Sequence, residues 1–247
     1  MASLTSDQLR RYARHVVLPE IGEAGQARLL ASSVLVIGVG GLGSPALAYL
    51  AAGGVGRLGI VEPDRVELSN LQRQLLFETA DIGRAKVQAA ADRIHEINPD
   101  CTVETHELRL DAGNAHQLIA AYDLVVDASD NFETRFTVAD SCSQLEKPLV
   151  SAAIVGFSAQ LSTFKPYLGA PHPSYRCLVS TQPERERSCA QEGIIGPLAG
   201  MLGSMQALEA MKELLGIGES FSGRVLIIDG LAMRMRYVIL PRSYDHA

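Results

Sequence analysis

The chain has 247 residues, 47% of them hydrophobic and 20% charged, with a formal net charge of −6 at pH 7. This is the size and composition of a soluble globular α/β protein with a substantial core, and the acidic balance argues against a general nucleic-acid surface while allowing a local cationic pocket. The longest nearly uncharged run, Ile194 to Leu208, is too short to span a bilayer and is interrupted by Gly196, Pro197, Gly200 and Gly203.

Residues 1–14 are polar and helix-like, without the apolar core of a signal peptide, so a cytoplasmic location is expected. Ser33 to Ile37 is a continuous apolar run ended by glycine, the pattern of a strand buried on both faces. Ser44 to Ala52 reads as a helix, with Pro45 tolerated in its first turn. Leu58 to Glu62 is a second strand, Arg84 to Asn98 an amphipathic helix, Thr102 to His106 a third strand and Leu124 to Ala128 a fourth. Asn131 to Leu145 is a helix. After Pro148 the pattern changes. Leu149 to Val155 and Ser158 to Phe164 read as two strands joined at Gly156 in a hairpin, and Tyr167 to Glu192 reads as a long surface loop. Gly193 to Leu215 is a helix, followed by closing strands at Val225 to Asp229 and Met235 to Leu240. The fold expected is α/β: a Rossmann-like nucleotide-binding sheet, parallel in the N-terminal half with a mixed or antiparallel C-terminal extension.

Gly38, Gly40 and Gly43 satisfy GxGxxG between a strand and a helix, the context in which glycine lets backbone approach phosphate at a helix N-terminus. Glu62 ends the next strand, where an acid accepts from a ribose hydroxyl. Taken alone, the loop supports NAD, FAD or ATP almost equally, or a tight turn with no ligand. Asp64, Asn70, Arg73 and Gln74 follow within one short connection, and Lys86 begins the next helix. Two cations and two amides exceed what a dinucleotide's pyrophosphate needs. They suit a triphosphate whose α-phosphate gains charge under attack, with Arg11 and Arg14 as further candidate cations. Asp127 to Asn131 lies at the carboxyl end of a strand, and Asp130 there could hold Mg²⁺ or cap the following helix.

Four cysteines, Cys101, Cys142, Cys177 and Cys189, stand alone with no CxxC pair. Neither a paired-thiol redox site nor a closely spaced zinc site is supported, and Cys101 and Cys142 read as buried small apolar residues.

With these residues in hand, the chain resembles the ubiquitin-activating-like adenylyltransferases of sulfur-carrier systems, the molybdopterin-synthase and thiamine-pathway adenylyltransferases. The resemblance rests on Arg11-Tyr12-x-Arg14-His15, the loop Gly38 to Gly43, Glu62-x-Asp64 and Ser69-Asn70-Leu71-Gln72-Arg73-Gln74. It continues through Gly83-x-x-Lys86, Asp130-Asn131-x-x-x-Arg135 and the Cys189 loop with Gly196-Pro197. It implies ATP bound by Gly41, Glu62, Ser69 to Arg73, Lys86, Asp130 and Asn131, with Mg²⁺ positioned by Asp130. It implies a homodimer in which Arg14 reaches the other subunit's site, beside Arg73 and Lys86. The substrate implied is the C-terminal Gly-Gly carboxylate of a ubiquitin-fold sulfur-carrier protein, converted to an acyl-adenylate with release of pyrophosphate. The sulfur donor, a cysteine desulfurase or a rhodanese, would be a separate protein. One domain over residues 1–247 is expected, with N-terminal helices in 1–31, a nucleotide-binding half in 32–147 and a carrier-binding, closing half in 148–247.

Two departures from the family pattern, and one further match, bear on chemistry. Glu62 stands where the family usually has Asp. The structural zinc of many members is not expected, because Ser174-Tyr175-Arg176-Cys177 keeps one thiol of the first pair and residues 241–247 hold none of the second. Cys189 falls where relatives place a loop cysteine able to bond covalently to the carrier. Its thiolate could attack an acyl-adenylate, helped by Arg185 and Arg187, or the residue could be an inert loop thiol. Other readings are the same adenylation on a peptide, a secondary-metabolite carrier or a tRNA base, an NAD-dependent oxidoreductase, or a nucleotide-binding scaffold.

Overall fold

The computed structural model describes residues 3–181 and 193–241. These build one sheet of eight strands: β1 (Ser33–Ile37), β2 (Arg57–Val61), β3 (Thr102–His106), β4 (Leu124–Asp127), β5 (Leu149–Val155), β6 (Ser158–Phe164), β7 (Arg224–Asp229) and β8 (Arg234–Ile239). Their spatial order is β3-β2-β1-β4-β5-β6-β7-β8. Pairings from β3 to β5 are parallel and those from β5 to β8 antiparallel, as the alternation of elements predicts.

The helices are α1 (Ser6–Arg11), α2 (Ala13–Val16), α3 (Gly22–Ala31), α4 (Gly43–Ala52), α5 (Lys86–Ile97), α6 (Ala115–Ala120), α7 (Phe132–Gln144) and α8 (Gly196–Leu215). β1 is apolar from Val34 to Ile37 because it is covered on both faces. Val34 and Val36 pack in one core with Leu29 of α3, Leu47 of α4, Ile94 of α5 and Leu202 of α8. Leu35 and Ile37 enter the other, with Ile119 of α6 and Phe136 and Val138 of α7.

Several boundaries move for local reasons. α1 starts on a capping box, with Thr5 accepting from Gln8 N, and the helical path breaks at Tyr12, whose ring is buried. The Tyr12 hydroxyl accepts from Asn98 Nδ2 at 2.8 Å. α8 begins at Gly196 rather than Gly193, because Ile194 bridges to Gly156 at the β5–β6 turn. α6, with six residues, is too short to carry a readable apolar period. The stretch expected as a surface loop after Tyr167 is partly core. Tyr175, within a short 3-10 turn at Tyr175–Cys177, is buried edge-on against Phe136 and Phe164, with ring centroids 5.4 and 5.5 Å away.

Cys101 and Cys142 are buried, as expected. Burial pushes the Cys101 thiol up from 9.0 to about 12 and the Tyr175 hydroxyl up from 10.0 to about 12. In the unfolded chain both groups ionise at their ordinary values, so above those values the unfolded state binds fewer protons than the folded one. The stability tied to these groups is complete below pH 9.0 and is lost as pH rises toward about 12. The urea midpoint should therefore fall steadily from pH 9 to 11, with Cys101 and Cys142 unreactive to thiol reagents until unfolding. A flat midpoint with rapid native labelling would contradict this packing.

Candidate active site

The strand order reverses between β1 and β4, and the crevice beyond their carboxyl ends is where an open α/β sheet takes its ligand. A cavity of about 220 Å³ lies there, walled by the glycine loop, the segment after β2, the start of α5 and the turn after β4.

Two glycines make the loop possible. Gly38, directly after β1, has φ +91°, and a Cβ on it would sit 2.9 Å from the Ala128 carbonyl oxygen. A Cβ on Gly43, at the start of α4, would fall 2.0 Å from the Gly38 carbonyl oxygen. Gly40 and Gly41 line the cavity, whereas Gly43 serves the packing behind it. No side chain caps α4, although Ser44 N in its first turn is already engaged with the Gly40 carbonyl at 3.0 Å, so an anion would meet the amides before it.

Glu62 is buried and braces this loop: Oε2 accepts from Val39 N at 3.0 Å and Oε1 from Asp64 N at 3.1 Å. Both oxygens keep a second lone pair, so the longer side chain still presents an acceptor to the cavity it lines. Lys86 is the first residue of α5 and is 5% exposed. Its Nζ lies 3.2 Å from Asp64 Oδ2 and 3.9 Å from Glu62 Oε1. A buried ammonium is tolerable only beside such partners.

Asn70, Arg73 and Gln74 face the same space. Arg73 Nη1 donates to the Ser69 carbonyl at 2.9 Å, and the Asn70 carbonyl accepts from Arg73 N and Gln74 N, both at 3.0 Å. Gln74 Oε1 is buried without a hydrogen-bond partner. Ser69, Leu71 and Gln72 do not line the cavity; they form the turn that aims Arg73.

On the opposite wall, Asp127 is fully buried and accepts on Oδ1 from Ser129 N (3.0 Å) and Ser129 Oγ (2.6 Å), and on Oδ2 from Ser151 Oγ (3.2 Å). Burial pushes its carboxyl above the usual carboxylate range, opposed by the charge of Arg135 and the Ser129 bonds. Asp127 is thus structural. The cap of α7 is Asn131, which accepts from Thr134 N at 2.9 Å, and not Asp130. Asp130 is exposed and lines the cavity.

Arg14 lies exposed on α2, away from the cavity of its own chain. Arg11, also exposed and away from the cavity of its own chain, donates from Nη1 to the Ile97 carbonyl at 3.1 Å. Cys189, Arg185 and Arg187 lie outside the described residues. Two cavity-lining cations carried no assigned role in the sequence: Arg109, after β3, and buried Arg135, one turn into α7.

Among the described residues no group of three or more His, Cys, Asp or Glu side chains could cage a metal. The exposed carboxylate of Asp130 beside the cavity fits Mg²⁺, which keeps waters and takes one or two carboxylates plus substrate phosphates. The Ser174–Cys177 segment does not fit zinc. Ser174 Oγ lies 3.5 Å from Cys177 Sγ where a second thiolate would be required.

The ThiF family matches residues 12–246. Sulfur carrier protein adenylyltransferase of Thermus thermophilus is 46% identical over 243 residues, covering 97% of this chain and 90% of that protein. SAMP-activating enzyme E1 of Haloferax volcanii is 47% identical over 241 residues, covering 97% of this chain and 87% of that one. Against adenylyltransferase and sulfurtransferase MOCS3-1 of Zea mays the identity is 46% over 98% of this chain, which spans 51% of the maize protein's length. Among solved structures, E. coli MccB with ATP shares the fold, with a TM-score of 0.83 at 21% identity over 98% of this chain and 74% of its own. Among the described residues no helix is long and apolar enough to cross a membrane.

Proposed function

The chain belongs to the ThiF family, and from that premise we propose that it is an ATP-dependent adenylyltransferase acting on the C-terminal Gly-Gly carboxylate of a ubiquitin-fold sulfur-carrier protein. The observation that carries this reading is that Lys86, Arg73 and Asp130 line one cavity at the switch point of the sheet. Identity of 46% to a sulfur carrier protein adenylyltransferase over nearly the whole chain supports the substrate class.

The chemistry follows from the charges. The carrier carboxylate, already ionised at neutral pH, attacks the α-phosphorus of ATP, and the bond to the β-phosphate oxygen breaks, so pyrophosphate leaves with that electron pair. The acyl-adenylate remains for a separate sulfur donor, as molybdopterin or thiamine biosynthesis requires. Lys86 and Arg73 stabilise charge building on the phosphate oxygens, and a water-poor wall makes each worth more than it is in bulk solvent. Exposed Asp64 would yield its place on Lys86 to phosphate. Glu62 accepts from the ribose, and Asp130 would hold Mg²⁺, which neutralises phosphate charge when bound. Arg14 completes the partner's site in a homodimer, consistent with its exposed place on α2. A nicotinamide reading leaves this cationic wall without a purpose.

Purified protein with ATP, Mg²⁺ and a Gly-Gly-ended carrier should exchange labelled pyrophosphate into ATP, and a carrier lacking its terminal glycine should not. ATP binding without exchange for every such carrier would instead describe a nucleotide-binding scaffold.

A further inference from the structure

Arg135 is 8% exposed, yet its guanidinium is not buried by apolar packing alone. Nη2 donates to the Ser129 carbonyl at 2.8 Å, the guanidinium carbon lies 5.5 Å from the centre of the Phe132 ring, and its charge acts on the nearby Tyr175 hydroxyl against the burial that raises that group's pKa. The rest of the turn after β4 is equally committed. Ser129 N and Oγ are held by Asp127, Gln206 Nε2 donates to the Asp127 carbonyl at 2.8 Å, and Asn131 caps α7. The carboxylate of Asp130 is the polar group of this turn left facing the cavity.

Tyr175, in turn, is seated by the residue beside it. Arg176 forks onto Asp140 of α7, with Nε–Oδ1 at 3.1 Å and Nη2–Oδ2 at 2.7 Å, and lies over the Phe136 ring at 4.9 Å. The segment that does not fit zinc is therefore fastened to α7 by rings and an ion pair. Its Tyr175 hydroxyl lies within electrostatic reach of Arg135.

We propose that Arg135 is a positioning residue for nucleotide activation: by gripping the Ser129 carbonyl, it sets the direction in which Asp130 meets the cation carried by ATP. This rests on the adenylation reading above. A merely structural Arg135 would support the fold of α7 and leave cation dependence untouched.

Calorimetric titration with ATP, in Mg²⁺ and in EDTA and without any carrier, separates the two. Arg135→Lys keeps the charge and loses the planar fork. It should weaken ATP binding in Mg²⁺ by roughly 10–100-fold while leaving binding in EDTA near the parent value, as expected when a group supporting a metal ligand is removed. Arg135→Gln keeps an amide donor and loses the charge and the fork, and should shift binding in the same direction; if Arg135→Lys does not fold, this variant decides by the same criterion. On an Asp130→Asn background, either change should add nothing further. Equal losses in Mg²⁺ and EDTA, or an unchanged Mg²⁺ effect in folded protein, overturn the proposal. If Asp130→Asn alone leaves the Mg²⁺ effect intact, the role of Asp130 itself is wrong, a failure distinguishable from that of Arg135.

Discussion

Replacing Lys86 with alanine should lower carrier-dependent pyrophosphate exchange by about 10²–10³-fold, the usual loss when one donor to developing transition-state charge is removed. The side chain is 6% exposed at the start of α5, so no bulk water stands ready to replace its charge. The substitution is also readable, because the cost to the fold is limited. Asp64, 66% exposed, is solvated without its partner, and Glu62 keeps its bonds from Val39 N and Asp64 N. The thermal midpoint should therefore move far less than the rate does. Lys86→Arg preserves the charge with a different shape and should recover only part of the activity. Near-parental exchange by Lys86→Ala would remove the cationic wall from the chemistry.

Gly43→Ala should do the reverse, acting through structure before chemistry. The added methyl would sit 2.0 Å from the Gly38 carbonyl oxygen, and Gly38 has no room to retreat because its own Cβ position is 2.9 Å from the Ala128 carbonyl. Strand, helix and the turn after β4 meet at this point, so the clash displaces the loop that must approach phosphate. Overpacking of this kind costs about 1–3 kcal/mol or more. At this chain length each kcal/mol lowers the thermal midpoint by roughly 2–4 °C. ATP affinity should fall with it. A Gly43→Ala protein with the parental midpoint and parental ATP binding would show that the loop is not packed as described.

Much of this architecture is legible from local pattern. β1 announces two-sided burial by five consecutive residues without an exposed one, and the glycine spacing places the phosphate loop at its end. Lys86 and the Asn70–Gln74 stretch are identifiable because their chemistry exceeds what a dinucleotide needs. The features that escaped depend on contacts between distant segments. Asp130 and Asn131 are both good caps by type, and only the backbone path at α7 selects Asn131. Tyr175 sits in a stretch rich in Pro, Ser and charge, and its burial comes from Phe136 and Phe164, which lie far away in sequence. Arg135 is the same case: its spacing from Asp130 is visible, but its grip on Ser129 is a property of the folded turn.

The central claim is that a carrier's terminal carboxylate attacks the α-phosphate of ATP, and isotope transfer tests it most directly. A Gly-Gly-ended carrier labelled with ¹⁸O in its C-terminal carboxylate is incubated with enzyme, ATP and Mg²⁺, and the product is captured with hydroxylamine. Attack by carboxylate oxygen leaves that oxygen bonded to the α-phosphorus, so the released AMP should carry ¹⁸O and the pyrophosphate none. Unlabelled AMP, or label appearing in pyrophosphate or inorganic phosphate, would contradict adenylation of the carrier by this protein.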